Sequence, residues 1–461
     1  MNKFSNSKVS RLSIVVLLLV SAMLLMVFPS FAAEGQVKNV ILLIGDGMGF
    51  GPTQYARNIL VGPEGRLTFE KFPYVGLVST YSANQWVTDS AAAATAMATG
   101  YKTNNEMIGV KPDGTPVKTV LEAAQQAGKA VGLISTNTIY DATPAAFGAH
   151  FAARSGSDAI AAQLVDHQID VLLGGGSDRF LPKGVGPGKR ADGKNLVDEV
   201  KAAGYVYVTN RSELASAAGS KLLGLFNPSY MNYQNDRDEV NSQEPSLAEM
   251  TSKALEVLSK DKDGFFLMSE GARIDHMAHT AEVAGVVSEI KDFEAAVDVA
   301  VKFAASRKDT LVVVTADHDT MGLSVTEPFK PEVIRQVKAS PEYMALQMKK
   351  DQDGVLTAES IKQVFADFAG ITDLTDAEIV IVQGTSKAAP YKQGYEIGSI
   401  IAAHANVGAI SSAIRAQGRT GGHSGNQVAI YASGPAGQAF AHVLDNTDIA
   451  RILAQVMGLN L

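Results

Sequence analysis

The sequence predicts an α/β fold, a mostly parallel central sheet with helices on both faces, and three observations carry that prediction. Short apolar runs of strand length end in turns bearing glycine or aspartate; segments with helical apolar spacing separate these runs; and 461 residues at 46% hydrophobic composition supply one large core. Strands of a parallel sheet are covered on both faces, so they read as continuous apolar runs rather than as alternating ones.

The first such run, residues 37–44, leads into Gly45-Asp46-Gly47. Asp46 is therefore expected just past the C-terminal end of a strand, where open parallel sheets bind their ligands. An Asx-turn explains Asp46 on local sequence alone, and the flanking glycines suit close approach of the backbone to something bulky or charged. Next, an extended, β-branched approach meets an alanine-rich helix start at Trp86-Val87-Thr88-Asp89-Ser90-Ala91. Ser90 is expected at the helix N-terminus, where unpaired N–H groups and the positive end of the dipole favour a bound anion; capping by Asp89 or Ser90 is the plainer reading. Helices over 117–127, 158–167, 246–258 and, as one long helix or a broken pair, 274–303 alternate with strands over 130–135, 171–173, 265–268 and 311–315. Gly174-Gly175-Gly176 has no following Lys-Ser/Thr and reads as a turn, not a phosphate loop. Over 326–394 the pattern weakens and charge rises, which reads as an insertion decorating the sheet. Its half-match to an EF-hand loop puts Lys349 and Ser360 at the first and last ligand positions, which argues against calcium. A strand over 428–431 and a closing helix over 447–457 complete the domain.

The N-terminus carries Lys3, Lys8 and Arg11, an uncharged apolar run over 12–28 and small residues up to Ala33. This order predicts a secretory signal over residues 1–32 cleaved after Ala32, leaving 33–461 as one catalytic domain in a periplasm or outside the cell; an uncleaved anchor is the alternative. Cleavage removes three positive charges and no negative ones, so the formal charge goes from −8 to about −11. Such a protein is a poor general binder of nucleic acid, and no stable membrane association is expected once the signal is gone. With no cysteine there are no disulfides, so packing, bound metal and oligomerisation must supply stability.

Four further clusters fall at loops or strand ends: Asp141-Ala142-Thr143-Pro144 followed by Arg154; Glu270 to Asp275 with His276 and His279; Asp317-His318-Asp319; and His423 after a glycine pair. Asp275 and His279, spaced i, i+4, share one helix face and can grip one ion. Each cluster alone reads as a solvated face or a turn. Their combination with Asp46 and Ser90 on an α/β pattern points to a metal-assisted reaction.

At 87–96 the chain resembles the alkaline phosphatases, whose nucleophile motif is Val-x-Asp-Ser followed by small residues, and the other clusters extend that resemblance over nearly all of the mature chain. The resemblance implies an alkaline-phosphatase-like fold with a crown-like insertion and two Zn2+ and one Mg2+ as cofactors. It gives Asp275, His279 and His423 to the first zinc, Asp46, Asp317 and His318 to the second, and Asp46, Thr143 and Glu270 to the magnesium. Ser90 would be the nucleophile, Arg154 the phosphate clamp, and Asp89 a further substrate-side residue. The ions would outweigh the four carboxylates and attract a dianionic phosphate to an acidic protein. The implied activity is hydrolysis of a broad range of phosphate monoesters through a phosphoserine, by a homodimer. Asp141 and His276 stand at supporting positions that vary within the family, His276 also reading as a plain surface histidine. A phosphodiesterase of the same superfamily and a secreted phosphate- or metal-binding protein are the rivals. Thr143, Glu270 and Arg154 argue against the first, the complete nucleophile and ligand set against the second, and the absence of cysteine against a cysteine-type sulfatase. His150, His167, His404 and His442 match no ligand position, and packing is the expected role of Trp86.

Overall fold

In the computed structural model, which describes residues 37–461, the apolar runs form parallel strands at the centre of one ten-stranded sheet. The segment read as a signal lies outside the described residues. The strands are β1 (Asn39–Gly45), β2 (Tyr74–Ser79), β3 (Ala130–Thr138), β4 (Val171–Gly175), β5 (Val206–Val208), β6 (Leu222–Leu225), β7 (Phe265–Gly271) and β8 (Thr310–Thr315). Two ribbons follow, β9 (Asp319–Thr320) with β12 (His423–Ser424) and β10 (Ser324–Val325) with β11 (Val407–Gly408); β13 (Val428–Ser433) and β14 (Val443–Asp445) return to the main sheet. The order is β14-β2-β13-β8-β1-β7-β3-β4-β6-β5, and β13 alone runs antiparallel to its neighbours. Strands β1, β7 and β8 are buried along their whole length, in keeping with the apolar runs that make up most of each.

The register aligns the ends that carry chemistry: Ile44 of β1 pairs with Glu270 of β7 and Thr315 of β8, and Glu270 in turn pairs with Ser135 of β3. Strands β3, β4 and β7 run past the expected apolar limits. The added residues of β3 and β7, among them Ser135, Thr136, Asn137, Ser269 and Glu270, are buried polar groups at the edge of the site, while β4 ends in Gly174-Gly175. The helix expected from 117 starts at Val120, because Thr119 accepts from Glu122 N and Glu122 answers to the Thr119 N–H in a capping box. Residues 274–303 form a broken pair, Arg273–Ala278 and Val283–Ala304; Ala281 at φ +62° makes the break and Glu282 caps the second helix.

Residues 331–404 carry five helices around a second apolar cluster, with Met344, Ile361, Phe365, Val382, Ile397 and Ile401 at its centre. Trp86 does not pack: it is 90% exposed. The loop around it is held by polar contacts to its backbone, Ser82 Oγ donating to Gln85 O and Asn105 Nδ2 to Val87 O. No helix among the described residues is long and apolar enough to cross a membrane.

Candidate active site

The helix Ser90–Thr99 starts at Ser90, with Asp89 as its cap. The Asp89 carboxylate accepts from Ala92 N at 3.0 Å and from Glu106 N at 2.9 Å, and it receives Arg154 Nη1 at 3.3 Å. One carboxylate therefore anchors the helix end and orients the guanidinium. Arg154 Nη2 reaches Asp141 Oδ2 at 3.3 Å, and Asn137 Nδ2 donates to the same oxygen at 3.0 Å. Burial disfavours the charge on Arg154, but Asp141, Asp89 and Asp46 outweigh it and raise its pKa further. The Ser90 hydroxyl is thus buried at a helix N-terminus beside a held arginine, the arrangement that binds an oxyanion.

Across from it, the ends of β1 and β8 bring together Asp46, Asp317 and His318, one ligand atom of each lying within 4.8 Å of the others. His318 Nε2 is 3.4 Å from Asp46 Oδ1, 3.2 Å from Asp317 Oδ2 and 3.2 Å from Ser90 Oγ. Asp275, His279 and His423 form a second such group, with His279 Nε2 3.2 Å from Asp275 Oδ2. The β9–β12 ribbon joins the two groups: His423 pairs with Thr320 in register, and the Thr320 hydroxyl donates to Asp275 Oδ1 while lying 3.3 Å from His318 Nδ1. Thr143 and Glu270 lie on the β3 side, Thr143 in the helix Ala142–Gly148 and Glu270 on β7, where Ser135 Oγ donates to Glu270 Oε2.

The donor chemistry fits divalent cations. His279 Nδ1 is 2.8 Å from Gly421 O and His423 Nδ1 is 3.0 Å from Thr88 O, so each ring spends its Nδ1–H on a carbonyl and turns a bare Nε2 inward, as ligating histidines do. Those two Nε2 atoms face each other at 3.3 Å, two lone pairs that only a shared cation or proton reconciles. Asp46 Oδ1, Asp317 Oδ2, Glu270 Oε1 and Thr143 Oγ1 are buried without a hydrogen bond of good geometry, His318 Nε2 standing near the first two, and such atoms in native proteins point to bound ions or functional strain. Burial pushes Glu270 up to about 8; burial and the Asp275 charge push Asp317 up to about 6. Asp46 is driven well above the usual carboxylate range by burial and then by Asp317, Asp275 and Glu270. This much buried negative charge calls for compensation. Gly47 explains how the pieces come so close: at φ +67° it suits glycine, and a Cβ there would sit 2.9 Å from Asp275 Cα.

The site residues expected from the sequence lie in this one region, at the C-terminal ends of β1, β7 and β8 or on the helices, loops and β9–β12 ribbon facing them. Sequence reasoning missed Thr320 and Arg273. Thr320 sits three residues beyond Asp317 in a two-residue strand, a signal visible only once the ribbon is known; Arg273 stood unremarked between two ligand candidates.

An alkaline phosphatase family model matches residues 37–459, almost the whole described chain. The chain belongs to the alkaline phosphatase family. Alkaline phosphatase 3 of Bacillus subtilis strain 168 is 40% identical over 444 residues, covering 93% of this chain and 90% of that protein. The alkaline phosphatase of Thermus thermophilus superposes with a TM-score of 0.81 at 28% identity over 94% of this chain and 96% of that one. A histidine-to-aspartate mutant of the alkaline phosphatase from the Antarctic bacterium TAB5, solved with magnesium in its M3 site, matches at a TM-score of 0.66 and 28% identity over 93% of this chain and 100% of that one. The protein is an enzyme, a phosphoric monoester hydrolase.

Proposed function

We propose that this alkaline phosphatase hydrolyses a broad range of phosphate monoesters through a phosphoserine on Ser90. The observation that carries the reading is the placement of Ser90 Oγ at a helix N-terminus, 3.2 Å from His318 Nε2 and on the same cleft as Arg154. Arg154, held by Asp89 and Asp141, receives two phosphoryl oxygens on its planar fork and sets phosphorus in line with Ser90. The Ser90 Oγ–P bond forms as the bond to the leaving alcohol oxygen breaks, and that oxygen takes up a proton. Water then attacks from the vacated side, the Oγ–P bond breaks, and inorganic phosphate leaves with the serine restored. Because the N–H groups at the helix end point at the phosphoryl oxygens, they stabilise charge in both steps.

Asp275, His279 and His423 would hold one zinc, Asp46, Asp317 and His318 a second, and Asp46, Thr143 and Glu270 a magnesium, with Asp46 shared. The magnesium reported in the M3 site of the TAB5 mutant supports a third site of this kind. When bound, these ions supply Lewis-acid charge that lowers the pKa of a coordinated hydroxyl or water and offsets negative charge on the phosphoryl group. The cleft, about 1020 Å³, far exceeds a phosphoryl group and is consistent with little selection on the alcohol. A secreted or periplasmic homodimer completes the proposal.

The test is turnover of p-nitrophenyl phosphate and of its bis-ester by residues 33–461 at pH 7 to 10, before and after chelation and with zinc and magnesium restored. Monoester turnover lost on chelation and regained with metal is expected. Preference for the bis-ester would move the enzyme to the diesterase branch.

A further inference from the structure

Arg273 opens the helix Arg273–Ala278 and is buried, yet it lines the catalytic cleft. Its guanidinium rests on aromatic faces, 3.5 Å from the ring centre of Tyr233 and 4.5 Å from that of Tyr230. Arg273 Nη1 lies 2.5 Å from His276 Nδ1, while Nε has no partner. A guanidinium only donates hydrogen bonds. The Nδ1 facing it must therefore carry a lone pair, since a protonated Nδ1 would set N–H against N–H. The ring proton is left on Nε2. Tyr230 meets the imidazole edge-on, with centroids 5.3 Å apart and planes at 73°, which limits rotation of the ring. His276 is half-buried and lines the same cleft as Ser90 and Arg154.

We propose that Arg273 is a positioning residue: it fixes His276 as the neutral Nε2–H tautomer and so makes it a hydrogen-bond donor to the phosphoryl oxygens or to a water bound on them. The role rests on the phosphatase reading above. The stacking of Arg273 on Tyr233 holds the guanidinium plane, the Nη1–Nδ1 bond holds the imidazole, and the donor presented to the cleft carries no charge of its own. A lysine at 273 keeps a donor and reaches a similar distance, whereas methionine keeps bulk and loses the donor.

The experiment measures phosphate dissociation constants by calorimetry on the metal-loaded enzyme for wild type, Arg273→Met, Arg273→Lys, His276→Ala and the double variant Arg273→Met/His276→Ala. Arg273→Met should weaken phosphate about tenfold, the size of one lost hydrogen bond, and Arg273→Lys less than about threefold. In the His276→Ala background, Arg273→Met should change affinity less than about twofold, because a residue acting through another has nothing left to act on. In parallel, long-range 1H–15N correlation spectra of histidine-labelled enzyme should show His276 with a protonated Nε2 and a bare Nδ1. Equal weakening by Arg273→Met with and without His276 would overturn the proposal, as would a bare Nε2 on His276. Should Arg273→Met fail to fold, the wild-type spectrum decides alone. All readouts are of binding or protonation site, so an enzyme without turnover would sink the proposed function and leave this coupling readable.

Discussion

Replacing Asp89 by alanine removes three interactions at once, and the structure allows each to be weighed. The Oδ1 cap on Ala92 N contributes about 1 kcal/mol, as caps of this type do. Loss of Oδ2 strands the Glu106 N–H, which lies on an exposed residue and can turn to water, so about 1 kcal/mol is the appropriate end of the range. The pair with Arg154, whose side chain is 30% exposed, is screened and adds under about 1 kcal/mol. The expected destabilisation is therefore about 2–3 kcal/mol, nearly all of it structural. Asp89→Asn should lose less, because an amide oxygen still caps Ala92 N but its NH2 cannot accept from Glu106 N. The assay is urea unfolding of metal-saturated enzyme at pH 7, comparing midpoints at matched slope. An Asp89→Ala enzyme within about 0.5 kcal/mol of wild type, the range of ordinary surface changes, would refute the argument that this carboxylate holds the helix end on which Ser90 sits.

Gly47→Ala should lower bound divalent metal per chain, read by elemental analysis, because its Cβ displaces Asp275 and its φ of +67° disfavours alanine. The Glu122–His150 contact, 2.9 Å long, makes stability depend on pH. Its hydrogen bond to Glu122 raises His150 above 6.5, so the His150 contribution is complete below pH 6.5 and fades as pH rises through its folded value. Burial opposes ionisation of Glu122, yet His150 and the Thr119 N–H lower it below 4.5, so its contribution is complete above pH 4.5 and fades as pH falls through its folded value. Thermal unfolding should therefore show His150→Gln costing most between pH 4.5 and 6.5 and least near pH 10. His276→Lys should alter turnover and inhibition by phosphate more than the unfolding temperature, since a long cation replaces a neutral ring at the cleft; unchanged kinetics from pH 7 to 10 would contradict that.

The central strands were legible because burial on both faces leaves no room for polar alternation, and 37–44 and 311–315 say so residue by residue. The grouping of the candidate ligands was legible for a related reason. A carboxylate or histidine directly after such a strand has few roles other than a turn or a ligand, and Asp46, Asp317 and His318 turned out to be buried within 4.8 Å of one another. What escaped notice lacked a local signature. The helix Phe50–Leu60 carries Gly51-Pro52 in its first turn, a pair that reads as a breaker although proline is tolerated there. Strand β14 has only three residues, and β13 runs antiparallel, a direction no local pattern encodes. The helices of 331–404 are partly exposed and amphipathic, so their charge masked a cluster that becomes apolar only after they associate. Trp86 was misjudged because a large apolar ring is usually covered, whereas here it is 90% exposed.

The most direct test of the central claim is to mix metal-loaded enzyme with a phosphate monoester, quench in acid within milliseconds, and locate any phosphoryl group by peptide mass spectrometry. The account predicts phosphate on Ser90, formed during turnover and absent from Ser90→Ala, whose turnover should fall by several orders of magnitude. Undiminished turnover by Ser90→Ala, or phosphate trapped on another residue, would contradict it.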